Sequence, residues 1–379
     1  MIKRRVKLSL LANALDRSLV VALLGPRQCG KTTLAGELAE SRECETYDLE
    51  NPRDAALLSN PLLALEKLGG TIVLDEIQRE PELFEIIRVL VDRPDNRARF
   101  LLLGSASPAL VADASESLAG RVSFVDLSGF DLCEAGGERF ERLWLRGGFP
   151  LSYLAEDANA SFLWREDFVR TFLERDVPQL GIGSIPAKTL RRFWTMIAHY
   201  HGQVWNASEI ARSLGTGEAA ARRYIDVLDG AYMVRQLQPW HANVGKRQVR
   251  SPKVYVRDTG ILHALLTLET REQLLSHPKC GASFEGFVIE QIAVLSRSRN
   301  LYFWATHAGA ELDLLLFRGG RAVGFEVKTT DAPTTTKSMR VALRDLDLEH
   351  LYVVYPGDRA YELDDRISVL PVTRLPDVL

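Results

Sequence analysis

The chain has 379 residues, 46% of them hydrophobic and 26% charged, enough for two or three packed domains and unlike a disordered or fibrous protein. Its net charge of −3 gives no global field toward nucleic acid or an anionic surface. Four scattered cysteines (Cys29, Cys44, Cys133, Cys280) form no CxxC pair, which argues against a disulfide framework or structural zinc and fits a reducing cytoplasm.

The opening "MIKRRVKLSLLANAL" predicts an amphipathic helix with Val6, Leu10 and Ala14 on one face. It does not read as a signal peptide, because Lys7, Ser9 and Asn13 break its apolar run. No stretch reaches the roughly 18 apolar residues of a membrane span, so no membrane partner is expected.

Next comes "SLVVALLGPRQCGKTTLAGELAE". The aliphatic run up to Leu24 has no polar alternation, as in a parallel strand covered on both faces. Gly25, Pro26, Arg27, Gln28, Cys29, Gly30, Lys31 and Thr32 then match GxxxxGK[ST], with Thr33 leading into a helix-forming segment. In such a loop, backbone N–H groups wrap phosphates, Lys31 reaches the β- and γ-phosphates, and the Thr32 hydroxyl holds Mg²⁺. The expected cofactors are therefore ATP and Mg²⁺. "CETYDLENP" gives another short strand, and "GGTIVLDEIQ" a strand ending in Asp75 and Glu76. Asp75 suits the Mg²⁺ site through water, and Glu76 is placed to activate the attacking water. "RFLLLGSAS" is a further strand whose last residue, Ser105, is either a γ-phosphate sensor or a turn residue. Strand and helix alternate throughout, as in a doubly wound parallel sheet.

These stretches, with "SLAGRV", resemble the bacterial and archaeal AAA-type P-loop ATPases that carry a C-terminal domain of unknown function. "LRGGFP", "VRTFLERDV" and "KVYVRDTGIL" are similar to the same family, so the resemblance covers nearly the whole chain. It implies ATP hydrolysis and makes Arg121 a candidate arginine finger, acting in cis or, in a homo-oligomer, in trans. The chain departs from the family at Cys29, where a small aliphatic residue is common, and at Ala106, where a hydroxyl residue is common.

"FLWREDFVRTFLER" spaces Phe162, Arg165, Val169, Phe172 and Leu173 as a connecting helix. "NASEIARSLGTGEAAARRYIDVLDGAYMV" predicts two helices around a Gly-Thr-Gly turn, with Ser208 as N-cap, Gly215 as stop, and a core of Ile210, Leu214, Ala220, Tyr224, Ile225 and Leu228. Strands in "MVRQLQPW" and "KVYVRD" complete a winged-helix-like pattern. Residues 187–250 carry ten Lys/Arg (188, 191, 192, 212, 222, 223, 235, 246, 247, 250) against four acids (209, 218, 226, 229). That local +6 makes Arg222 and Arg223 candidate contacts to a DNA backbone, although such folds also serve as protein-binding modules. His199 and His201 in "HYHG" lack an acid or Cys partner at ligand spacing and read as packing or surface residues.

Near the end, "ELDLLLFRGGRAVGFEVKTT" predicts a hairpin that sets Asp313 beside Glu326, with Lys328 on the same strand face as Glu326. The pattern resembles PD-(D/E)xK nucleases, in which two carboxylates hold a divalent metal and the lysine orients water. Glu285 in the preceding "GASFEGFVIEQIA" resembles the extra metal-binding acid of Holliday-junction-resolvase-like members, with Glu290 a less favoured alternative. The expected architecture is thus an α/β multidomain chain. A P-loop ATPase domain spans 1–150, a helical connector 151–185, a winged-helix-like domain 186–275 and a restriction-endonuclease-like α/β domain 276–379. The expected function is an ATP-binding and ATP-hydrolysing protein coupled to duplex or branched DNA. The alternative is a nucleotide-controlled switch whose nuclease-like part binds without cutting.

Overall fold

All six residues of β1 (Val20–Gly25) are buried, the signature of a strand with both faces covered. In the computed structural model, which describes residues 2–105, 114–179, 185–241 and 249–379, β1 is central to a five-stranded sheet. The other members are β2 (Cys44–Asp48), β3 (Gly70–Asp75), β4 (Ala98–Ser105) and β5 (Val122–Asp126), in the order β2-β3-β4-β1-β5. All four pairings are parallel. Alternate residues feed two cores. Val21, Leu23, Val73, Leu101 and Leu103 pack with Leu11 and Leu34, while Val20, Ala22, Ile72, Leu74 and Phe100 pack with Phe84 and Ile87.

The opening helix runs Arg5–Arg17, but it buries Leu11, Ala14 and Leu15 with Lys7, whereas Val6 is 54% exposed. The expected Val6–Leu10–Ala14 face is corrected: the i, i+3, i+4 stripe from Leu11 is the one that reaches the sheet. Ala106 lies outside the described residues, and Ser105 ends β4 as expected, its side chain likewise undescribed.

The chain forms two units, Met1–Gly129 with Gly230–Tyr232, and Phe130–Asp229 with Met233–Leu379. The first therefore closes before the expected boundary at 150. The second holds a nine-stranded mixed sheet, order β13-β14-β12-β11-β10-β9-β7-β8-β6. Here β6 is Gln203–Val204, β7 Val234–Pro239, β8 Lys253–Val256, β9 Leu301–Ala305, β10 Glu311–Arg318, β11 Arg321–Val327, β12 His350–Tyr355, β13 Tyr361–Asp364 and β14 Ile367–Pro371.

Helices Ala187–His199, Ala207–Leu214 and Glu218–Gly230 precede or alternate with β6, and β8 pairs antiparallel with both β6 and β7. Asn206, not Ser208, caps the helix at Ala207; its Oδ1 accepts the Glu209 N–H at 3.3 Å and the Ser208 hydroxyl at 2.9 Å. Gly215 stops that helix with φ 75°. The core uses Ala221 and Val227 rather than Ala220 and Tyr224, which are only half-buried. Then helix Cys280–Ser296, the antiparallel run β9–β10–β11, helix Lys337–Asp345 and β12, parallel to β11, follow in chain order. One parallel pairing, Gln238 with Tyr302 and Pro239 with Phe303, joins β7 to β9. The sheet therefore runs without a break across the division expected at 275/276.

The stretches "LRGGFP" and "VRDTGIL" meet. Asp258 accepts the Gly148 N–H at 2.7 Å and the Ile261 N–H at 2.9 Å, capping the helix Thr259–Leu265. Arg165 of the connecting helix, 1% exposed, donates to the carbonyls of Ser161, Leu145 and Gly260.

Candidate functional site

The loop between β1 and the helix Lys31–Ala39 is shaped by close approach. A Cβ on Gly25 would lie 2.1 Å from the Leu127 carbonyl oxygen, and Gly30 has φ 99°, so both positions select glycine. Cys29 is fully buried in the sheet's core, where its sulfur serves as the small apolar group the family usually supplies there. Arg4 fixes the loop from outside, its guanidinium donating to the carbonyls of Cys29 at 3.0 Å, Ser128 at 3.1 Å and Gly129 at 3.1 Å.

Lys31 is buried, and its Nζ donates to Gly25 O at 3.0 Å and Pro26 O at 2.9 Å, both in its own loop. The Thr32 hydroxyl donates to Asp75 Oδ2 at 2.7 Å, which joins the loop to the end of β3. Asp75 Oδ1 accepts the Glu76 N–H at 2.9 Å. Glu76 has φ 57°, a left-handed conformation uncommon for a non-glycine residue, and that turn aims its side chain. The Gln78 amide donates to the Glu76 carboxylate, and Arg27 stands 4.0 Å from Glu76 and 3.2 Å from Glu50. Thr33 is exposed on the following helix. Hydroxyl and carboxylate oxygens side by side at a cradle of backbone N–H groups suit Mg²⁺ bound with a polyphosphate.

Arg121 stands elsewhere. It directly precedes β5, whose first residue, Val122, pairs with Val20 at the start of β1. The P-loop follows the other end of β1, so at 3.3 Å per residue the two are separated by about 17 Å along the sheet. Arg121 makes a two-pronged ion pair with Asp92, Nε to Oδ1 at 2.6 Å and an Nη to Oδ2 at 2.8 Å. Its side chain remains 37% exposed in a groove of about 760 Å³ shared with Arg88, Arg93 and Glu116.

The second unit gathers the other predicted residues. The hairpin turns on Gly319 and Gly320, with φ 56° and 81°, and its register places Leu314 opposite Phe325. Asp313 and Glu326 are thus neighbours, both buried. Lys328 Nζ donates to Glu326 Oε1 at 2.7 Å, and Asp313 Oδ2 accepts the Val327 N–H at 2.8 Å. Glu285 reaches the same place from helix Cys280–Ser296. Burial, then the charge on Asp313, pushes both Glu285 and Glu326 up to about 7.

Two residues here were not anticipated. Lys253 of β8, its side chain 6% exposed, extends its ammonium to 3.4 Å from Glu285 Oε1 and 3.9 Å from Asp313 Oδ1, and also pairs with Glu311. Burial disfavours that charge, but Glu285, Asp313 and Glu311 outweigh it and hold Lys253 above its ordinary range. Tyr255, two residues on, donates its hydroxyl to Glu285 Oε1 at 2.5 Å. The signal was in "KVYV": a lysine and a tyrosine at i, i+2 on an apolar strand, as with Glu326 and Lys328. Neutralising Lys253 would strand buried carboxylates, an uncompensated charge that typically costs about 3–5 kcal/mol.

Glu290 is excluded as a metal ligand by its partners. Arg235 and Arg257 hold it at 2.8 and 2.7 Å and, against burial, pull it down to about 2. Arg235 is therefore not part of an outward basic surface, and Lys246 and Arg247 lie outside the described residues. Arg222 and Arg223 are exposed on helix Glu218–Gly230, Arg222 at 3.9 Å from Glu218. His201 is fully buried, whereas His199 is exposed. Among the described residues no group of three His, Cys, Asp or Glu side chains that could hold a metal ion is found.

Residues 17–135 match the family model of an AAA domain. A Walker-type ATPase of Pyrococcus abyssi shares the fold at TM-score 0.50 and 14% identity, over 70% of this chain and 96% of that one. Residues 17–135 thus form an AAA domain, and the P-loop described above lies within it. Residues 137–272 and 280–375 match two domains of unknown function, the second being DUF4143. Proteins of Mycobacterium tuberculosis and Mycobacterium bovis, both described as uncharacterized, are 52% identical over 375 residues, 99% of this chain and 85% of each relative. Such identity across nearly the full length puts this chain in one family with them. Among the described residues no helix is long and apolar enough to cross a membrane.

Proposed function

We propose that this chain hydrolyses ATP to ADP at the Gly25–Thr32 loop and uses the cycle to act on nucleic acid held by its second unit. The observation that carries this reading is the chain of contacts from Lys31 through Thr32 and Asp75 to Glu76. Lys31, bonded to its own loop's carbonyls, is placed to exchange them for β- and γ-phosphate oxygens. Thr32 and Asp75 are the residues that would hold Mg²⁺, which supplies charge neutralisation on the phosphates when bound. Glu76 orients the attacking water once it leaves Gln78, and Arg27 shapes the field around it. Ser105, at the end of β4, is retained as a γ-phosphate sensor. Lys31→Ala is expected to lose ATP binding. Glu76→Gln should bind ATP yet turn over roughly 10²-fold more slowly, read by nucleotide binding and phosphate release. Normal turnover by Glu76→Gln would remove Glu76 from the role.

Arg121 serves a neighbouring copy of the chain rather than its own nucleotide, which makes the active form a homo-oligomer. The strand register of β1 and β5 supports this, since it sets Arg121 at the edge of the sheet away from its own loop.

The helix–strand–helix–helix–strand–strand order of residues 187–256 supports a winged-helix reading, and its third helix carries Arg222 and Arg223, both exposed. We expect Arg222→Glu with Arg223→Glu to weaken duplex DNA binding by at least about tenfold. It should also flatten the salt dependence by about two counterions, read from log–log plots of affinity against salt. Wild-type binding that is absent, or indifferent to salt, assigns this helix to a protein partner instead.

The helix–β9–β10–β11–helix–β12 order supports the restriction-endonuclease-like reading of the last part. Its carboxylates, however, are engaged by Lys253 and Lys328 rather than left open to a metal. That observation favours a DNA-binding module that does not cut, as in a nucleotide-controlled switch.

A further inference from the structure

We propose that Lys253 is the resident cation of the Glu285–Asp313 cluster, standing where a divalent ion would have to bind, so that the pocket takes no metal while this lysine is in place. The inference rests on the nuclease-like reading of the fold and adds to it what would keep a divalent ion out of the pocket.

The argument is one of available oxygens. A hard divalent ion needs several oxygen ligands at once, and a carboxylate oxygen already accepting from a protein donor is poorly free to serve. Glu285 Oε1 accepts from both Tyr255 and Lys253. Asp313 has Oδ2 on the Val327 N–H and Oδ1 facing Lys253. Glu326 Oε1 accepts from Lys328, and Glu311 pairs with Lys253. Among the described carboxylate oxygens of this cluster, Glu326 Oε2 is the one buried without a hydrogen-bond partner, and one oxygen is not a metal site. Lys253 is itself rigidly placed: its strand pairs on both sides, and its ammonium also lies 5.5 Å from the centre of the Phe303 ring. Because β8 closes the wing, the cation that fills this pocket is contributed by the winged-helix part of the sheet. Removing its charge, while leaving its hydrocarbon stem, would turn the cluster into a site for Mg²⁺ or Mn²⁺.

The test uses the full chain without nucleotide, in a Thr32→Ala, Asp75→Asn background that silences the P-loop, with Mn²⁺ as probe. Free Mn²⁺ is counted by electron paramagnetic resonance, and each protein is melted with and without the ion. The parent should bind no Mn²⁺ at sub-millimolar concentration. Lys253→Met should gain one ion per chain, tighter than the parent by about tenfold or more, and be stabilised by it. Lys253→Arg, which keeps the charge, should behave as the parent. A parent that binds one Mn²⁺, lost again in Glu285→Gln with Asp313→Asn, overturns the proposal. If neither the parent nor a folded Lys253→Met binds, the proposal falls along with the nuclease-like reading of the pocket. Should Lys253→Met fail to fold, Lys253→Gln takes its place: a gained Mn²⁺ upholds the proposal, and a folded Lys253→Gln that gains none refutes it.

Discussion

Arg121→Ala is expected to lower ATP turnover by about 10³-fold or more while leaving ATP binding intact, because an arginine finger stabilises charge that develops only in the transition state. Mixing makes the prediction specific. Neither Arg121→Ala nor Glu76→Gln should turn over alone. In a mixed oligomer, however, a subunit with an intact Glu76 meets a neighbour with an intact Arg121. Random assembly of equal amounts gives about a quarter of wild-type sites both parts, so activity should return to that level. A mixture as inactive as its components would show that Arg121 does not act across an interface. The physical basis is the two-pronged Asp92 pair, which holds the guanidinium at the far edge of the sheet with much of it still exposed.

His263→Gln should cost the second unit less stability in acid than at neutrality, the gap to wild type narrowing by about 3 kcal/mol between pH 7 and about 4.5. His263 is fully buried; Nδ1 donates to the Leu145 carbonyl at 2.9 Å and Nε2 accepts from the Ser283 hydroxyl at 2.7 Å, which in turn accepts from Trp144 Nε1 at 3.0 Å. Burial, with a smaller push from Arg165, holds the ring down at about 3. The unfolded ring titrates near its ordinary value of about 6.5. Above that value both states are neutral and the contribution is complete. Below it the unfolded chain takes up a proton the folded ring refuses, so stability drains away as pH falls toward 3. His201 behaves alike, lowered to about 3 by burial and then by Lys279. Glu285 and Glu326, raised in the folded state, act in the opposite sense. The difference between variant and wild type in urea melts is therefore the measurement, and a pH-independent gap would show that the ring is not held neutral.

The P-loop was legible because its chemistry sits in one short loop: the glycines, Lys31 and Thr32 are fixed by local backbone geometry. The hairpin is legible for the same reason, since the two glycines of RGG supply the positive φ that a tight turn needs. What escaped notice depends on pairing between distant segments. Lys253 meets Glu285 and Asp313 only because β7 pairs with β9, a join that neither strand announces. Arg235 reads as surface charge until Glu290, a distant helix residue, turns out to face it. Local errors had local causes. Ser208 and Asn206 are both good caps, and the chain uses Asn206, whose Oδ1 accepts the Glu209 N–H in the first turn. At the N-terminus two helical stripes compete, and tertiary contact with the sheet selects Leu11, Ala14 and Leu15.

The unbroken nine-stranded sheet also limits how this chain can be rearranged in evolution. A cut near residue 276 would detach its last hundred residues as a cassette. Cutting there would strip β9 from β7, baring a row of unpaired backbone groups of the kind that invites aggregation. The cut would also leave Arg235, Arg257 and Lys253 on one fragment, with Glu290, Glu285 and Asp313 on the other. Neither fragment would inherit a neutral interior. A cut there would therefore cost both fragments a strand partner and buried ion pairs, which favours keeping the two parts of this unit together.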